Sequence, residues 1–159
     1  MSAAELGNGA AVHRQSALPA DDSIFFKLVR VVNLTARPFS ESIGKAHQLS
    51  LNEWRVLLVL ANHPGVAASE VAALTGLDKM SVSRALSALV RRSRVVRKVD
   101  GDDKRRLLLR LSAEGERLYE RIGVPAKERE RSVFRGMGEA DQKQLGRLLD
   151  RLIDNLSGG

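Results

Sequence analysis

Between Arg91 and Ser112 the stretch RRSRVVRKVDGDDKRRLLLRLS carries nine basic side chains on twenty-two residues, with aliphatic residues set between them. Cations at this density are suited to one kind of chemistry: they neutralise phosphates and release the counterions condensed on a polyanion. Arginine adds a planar fork that can bond guanine O6 and N7 together. The charge is also concentrated. From Ser69 to Leu111 eleven basic residues face five acidic ones, so this segment holds six of the chain's seven net positive charges. Such a footprint points to nucleic acid; the plainer alternative is a solvated basic surface.

Other chemistries find little support. His13, His47 and His63 are scattered, with no His-Glu helix motif, Gly-rich phosphate loop or Ser-His-Asp order around them. His47 and His63 suit helix ends, where a cation is favourable. Asp102 and Asp103 fall on an exposed turn, away from the burial that shifts a catalytic pKa. Cysteine is absent, which excludes disulfides, thiolate metal clusters and thiol oxidation as a signal. No catalytic residue, metal site or cofactor is expected.

The elements that must position these cations follow from periodicity and punctuation. Ile24, Leu28, Val31, Val32, Ile43 and Ala46 keep helical spacing in a long first helix ending near His47, with Pro38 as a kink. In SLNEWRVLLVLANHPG, Ser50 and Glu53 form a capping box, and Pro64-Gly65 stop the helix. SEVAALTGL predicts a short helix from near Ser69, closed by Gly76, and Asp78 caps the next, KMSVSRALSALVRRS. In that helix Val82, Leu86, Leu89 and Val90 form one apolar stripe.

Two helices joined by a short Gly-containing turn, the second basic on its outer face, predict a helix-turn-helix. At about 100° per residue, Met80, Arg84, Ser87 and Arg91 lie opposite the stripe, on a short polar and cationic face suited to a major groove. An ordinary amphipathic helix with a solvated side gives the same pattern. VVRKV and LLLRL are strand-forming runs separated by DGDDKRR, whose Asp-Gly start signals a turn. The hairpin is a wing, and its tip cations Lys104, Arg105 and Arg106 are directed at flanking backbone or minor groove. Asp102 and Asp103 are unexpected beside phosphates, but a carboxylate next to Arg can hold a guanidinium in one orientation.

Beyond the wing, Ser112 caps a long helix in which Leu118, Tyr119 and Ile122 precede Pro125. The last helix carries Leu145, Leu148, Leu149, Leu152, Ile153 and Leu156, an almost purely aliphatic stripe that something must cover. The candidates are the first helix with the same elements of a second chain, or an intramolecular bundle. At 159 residues the chain suits one domain with a helical extension. The opening residues show no basic head before an apolar run, and no stretch approaches the roughly 18 apolar residues of a span. A soluble, cytoplasmic protein with no membrane association is expected, with residues 1–22 as a flexible segment before a single domain, 23–159.

From about Ser23 to Leu156 the chain resembles the MarR family of winged helix-turn-helix transcriptional regulators. The resemblance rests on LNEWRVLLVLANHPG, SEVAALTGLDKMSVSRALSALVRRSRVVR and above all DKRRLLLRLSAEG, which matches the family's wing signature: Asp, a basic residue, Arg, a β-strand, Leu-Ser/Thr and Gly. It implies a mostly α fold, with a winged helix-turn-helix core over about 50–111, a small β-hairpin wing, and dimerisation helices over about 23–47 and 112–156. It places Lys79, Ser81, Ser83 and Arg84 at the DNA end of the recognition helix. Arg105, oriented by Asp103, becomes the wing-tip arginine of the minor groove. One departure stands out, because the family's usual Gly before the first wing strand is Arg94 here, preceded by Ser93.

The function implied is that of a homodimeric, sequence-specific regulator of double-stranded DNA, a repressor released by a small-molecule effector and binding a pseudo-palindromic operator. The competing reading is an architectural or protein-interaction module that binds DNA without base preference. Regulators of this kind often bind small, frequently aromatic anions between dimer and DNA lobes. Arg37, Phe39, His47 and Trp54 are the candidates for such a pocket, although a residue such as Trp54 is more often part of the core.

Overall fold

The computed structural model describes residues 23–158; the segment 1–22, expected to be flexible, lies outside the described residues. The order is α1 (Ile24–Phe39), a π-helical turn (Ser40–Gly44), α2 (Lys45–His47), α3 (Leu51–Asn62), α4 (Ala68–Thr75), α5 (Lys79–Arg91), β1 (Val95–Val99), β2 (Leu107–Leu111), α6 (Ala113–Val133) and α7 (Glu139–Ser157). It is the mostly helical winged fold expected, with one antiparallel hairpin pairing Val95 with Leu111 and Val99 with Leu107.

The local signals act as the residues require. Ser50 Oγ accepts from the Glu53 amide (3.1 Å) while Glu53 Oε2 accepts from the Ser50 amide (3.0 Å), which satisfies free donors at the start of α3. Asp78 Oδ1 takes the Ser81 amide at the start of α5, and Ser112 Oγ takes the Gly115 amide at the start of α6. Gly76 closes α4 at φ +67°, open to glycine at little cost. Pro38 and Pro125 are accommodated inside α1 and α6, and the first is followed at once by the π turn.

The core lies where α3, α5, α6 and the hairpin meet. Val56, Leu57, Leu60, Val71, Val82, Leu86, Leu89, Val95, Leu109, Leu118 and Ile122 are buried, so the stripe read on α5 is its inner face. Trp54 is buried and stacks between Phe39 and Tyr119, with centroids 6.1 and 5.8 Å apart. That stack joins the end of α1 to α3 and α6. Sequence periodicity did not show that Val66 would bridge to Leu109 on the free side of β2, where the Gly65 amide donates to the Leu109 carbonyl (2.8 Å) and the Leu109 amide to the Val66 carbonyl (2.9 Å). The wing is thereby anchored at its base by the loop after α3.

The terminal helices stand apart from this core. Along α7, Leu148, Leu149, Leu152, Ile153 and Leu156 are exposed, the last at 85%, and Leu145 is half-buried. Ile24, Phe25, Val29, Val31, Val32 and Leu34 of α1 are exposed as well. Among the described residues no other element packs extensively on α7. The chain therefore does not fold these stripes together into an intramolecular bundle.

Candidate nucleic-acid interface

Helix α5 divides cleanly by face. Val82, Ala85, Leu86 and Leu89 point inward, while Lys79, Met80, Ser83, Arg84, Ser87 and Arg91 are exposed. Ser81 is partly withdrawn from that face: its hydroxyl donates to Asp78 Oδ2 (2.6 Å), so the same carboxylate caps the helix and holds the side chain. These two bonds hold Asp78 below the usual aspartate pKa. Between α5 and the hairpin lies a groove of about 340 Å³ lined by Ser69, Lys79, Ser83 and Arg97 together with Val82, Leu86, Leu107 and Leu109.

The wing tip differs from expectation in two respects. The Asp100–Gly101 pair forms no left-handed glycine turn, since Gly101 is not at positive φ. The connection runs from Asp100 to Arg106, closed by the Asp100 amide on the Arg106 carbonyl (2.9 Å) and shaped by two aspartates, Asp100 accepting from the Asp102 amide and Asp103 from the Arg105 amide. Asp103 thus meets Arg105 only at its backbone amide, and among the described residues its carboxylate makes no hydrogen bond to the Arg105 guanidinium. Lys104 and Arg105 are exposed at the tip.

Arg106, grouped with them by sequence, has a different setting. Its Nη2 donates to Glu70 Oε2 at 2.6 Å, and that oxygen also accepts the Ala67 amide at the start of α4 (2.8 Å). The Ala67 bond first, then Arg106, holds Glu70 below the usual glutamate pKa. Periodicity missed Glu70, although its place three residues into α4 is a capping position.

A second arginine cluster fastens the corner after α5. Arg92 donates to both oxygens of Glu53 (3.1 and 3.2 Å), a carboxylate only 6% exposed that also completes the α3 cap. Arg94 donates to the carbonyls of His47 (2.7 Å) and Gln48 (3.2 Å), binding the end of α2. Partial burial lowers its pKa from the usual arginine value. The left-handed position is Ser93, at φ +56°, so the residue that lacks glycine's freedom is Ser93 rather than Arg94. Across this corner Gly115 is indispensable, because a Cβ there would come within 2.0 Å of the Arg94 carbonyl oxygen.

Of the four candidate pocket residues, the structure brings two together. Phe39 and Trp54 line a cavity of about 410 Å³ between α1, α3 and α6, with Val31, Val32, Thr35, Ala36, Leu51, Leu58 and Phe134 among its other walls. Arg37 and His47 do not line it. Arg37 is rotated by about 200° from both Thr35 and Phe39, which do face inward, and His47 contributes only its carbonyl, to Arg94. The cations at the cavity are Arg55, one turn from Leu51 on the lining face of α3, and Arg129 of α6. Arg55 was within reach of sequence reasoning through the Leu51, Trp54, Leu58 spacing; Arg129 was not, since nothing in sequence says how α6 crosses α1.

A winged helix-turn-helix with a cationic outer face and an anchored wing defines a class of DNA-binding regulators. A family model described as MarR family matches residues 47–106. The chain is 31% identical over 130 residues to the HTH-type transcriptional regulator FarR of Neisseria gonorrhoeae, covering 82% of this chain and 88% of that one. It is 27% identical over 118 residues to the homoprotocatechuate degradative operon repressor of Escherichia coli, 74% and 80% of the two lengths. A MarR/EmrR family transcriptional regulator from Acinetobacter sp. ADP1 superposes with a TM-score of 0.82 at 25% identity, over 89% of this chain and 100% of that one. The chain belongs to the MarR family of transcriptional regulators. Its relatives are regulators rather than enzymes, and no helix among the described residues is long and apolar enough to cross a membrane.

Proposed function

We propose that this protein is a cytoplasmic, homodimeric repressor that reads a pseudo-palindromic operator in double-stranded DNA and is released by a small aromatic carboxylate. The observation that carries the DNA reading is the division of α5, whose buried aliphatic face fixes the helix while Lys79, Ser83, Arg84, Ser87 and Arg91 stay exposed on the other. In this reading Arg84 bonds a guanine edge and Arg105 at the wing tip enters a minor groove, where width counts for more than base identity. The exposed stripes of α1 and α7 supply the dimer contact, with half-sites about one helical turn apart. The cavity beneath Trp54 offers aromatic and aliphatic walls with two guanidiniums, a fit for an aromatic acid. That a relative is named as repressor of a homoprotocatechuate degradative operon supports this effector class.

From a pool of random duplexes the protein should enrich one two-fold symmetric sequence. Arg84→Ala should reduce the ratio of selected-site to random-DNA affinity by about 1 to 3 kcal/mol in each half-site. Equal affinity of the wild type for selected and random duplexes would establish the architectural, non-specific reading instead.

A further inference from the structure

The first helix, from α1 through α2, touches the rest of the molecule through few groups. Phe39 and Ile43 reach the core, followed by Leu49 just beyond the end of α2. Among the described residues, the side-chain hydrogen bonds that reach it from other elements come from two arginines alone: Arg94 on the carbonyls of His47 and Gln48, and Arg129 on the carbonyl of Thr35 at 3.1 Å. Arg129 is thus a fastening of α1 to α6, and it is also part of the cavity wall.

Neither Arg129 nor Arg55, the other guanidinium of the cavity, has a carboxylate partner among the described residues. Arg55 donates to the neutral Asn52 Oδ1 at 3.3 Å. Both cations therefore rest on neutral acceptors in a mostly apolar recess. A carboxylate offers an arginine two parallel charge-assisted bonds, roughly twice as strong as a bond to a carbonyl. Glu130 also lines the cavity and disfavours an anion beside its own carboxylate, which directs ligand charge toward the two guanidiniums.

Resting on the effector reading above, we propose that Arg129 is exchanged between the Thr35 carbonyl and the carboxylate of the bound effector, so that occupying the cavity unfastens the first helix from α6. The exchange gives the ligand unequal affinity for the fastened and unfastened arrangements, without which it could shift no equilibrium. Arg129 is a positioning residue for DNA binding and a ligand contact in turn.

The test uses Arg129→Met, which keeps the stem and removes the donors, and Arg129→Lys, which keeps the charge without the fork. Operator affinity is measured on a duplex selected by the wild type, and ligand binding by the emission of Trp54, the chain's single tryptophan, with 4-hydroxyphenylacetate and its amide as probes. Without ligand, Arg129→Met should bind the operator about tenfold more weakly, the scale of one hydrogen bond from a charged donor, and the carboxylate should weaken it no further. The wild type should respond to the carboxylate and not to the amide, and Arg129→Lys should recover part of the unliganded affinity. Unchanged ligand-free affinity of Arg129→Met, or equal carboxylate binding by it and the wild type, would overturn the exchange while leaving the effector reading in place. Unchanged Trp54 emission with the carboxylate would overturn the effector reading and the exchange together.

Discussion

Arg106 and Ala67 share one oxygen of Glu70: the guanidinium of the wing lies 2.6 Å from Oε2 and the amide of Ala67, the residue capping α4, lies 2.8 Å from it. A cation so engaged has less charge to offer phosphate than its exposed neighbour Arg105. Salt dependence separates the two, because each phosphate neutralised contributes about 0.9 to the slope of log affinity against log salt. Arg105→Ala should lower that slope by about one phosphate's worth, and Arg106→Ala by clearly less. Equal losses of slope would show that DNA draws Arg106 away from Glu70.

Acid should loosen the same link. The folded-state pKa of Glu70 is lowered, so its contribution to stability is complete above the unfolded value near 4.5 and disappears as pH falls through the lower folded value. Asp78, also lowered, acts in the same sense from its unfolded value near 3.8. Glu70→Gln should therefore flatten the acid limb of a stability–pH curve below about pH 4.5 and leave the neutral-to-alkaline limb's shape as it was. An unchanged acid limb in that variant would remove Glu70 from the account.

Ser93 holds a left-handed backbone at φ +56° without glycine's freedom. Ser93→Gly should relieve this by up to about 1 kcal/mol, less the extra entropy glycine gives the unfolded chain. Thermal melting should move up by a few degrees at most. A lower melting temperature would mean that Ser93 contributes an interaction worth more than its backbone strain.

The aliphatic stripe of α7 remains exposed in the single chain. Leu149→Glu with Leu152→Glu places charge at any contact formed there, and sedimentation at micromolar concentration should pass from dimer to monomer. A wild-type mass of one chain would reject the dimer outright.

Where residues act on their immediate neighbours, the sequence was a good guide. The Ser50/Glu53 box, the Asp78 and Ser112 caps, Gly76 and the inner face of α5 follow from short-range rules, and each appears at its expected position. Most misses involve contacts between distant segments. Arg106 meets Glu70 from 36 residues away, Arg94 meets His47 from 47, and Arg129 meets Thr35 from 94. No periodicity encodes such a meeting. The cavity shows both kinds of rule: packing of distant segments brings Phe39 and Trp54 to it, whereas Arg37, two residues from both Thr35 and Phe39, is turned away by the helix pitch alone. The family's usual glycine position was aligned with Arg94, whereas the left-handed residue is Ser93, because backbone handedness leaves no trace in side-chain chemistry when serine occupies the site.

The two prolines give the cavity a mechanical character. Pro38 precedes Phe39 and Pro125 precedes Ala126, and both followers are cavity walls. Each proline lacks an N–H, so α1 loses the rung that would end on Leu34 and α6 the rung that would end on Arg121. Two long helices thus each lack one rung of their ladder beside the same open space, which both of them line. A guest lodged there would press on the two stretches of helix that are each short of one backbone bond.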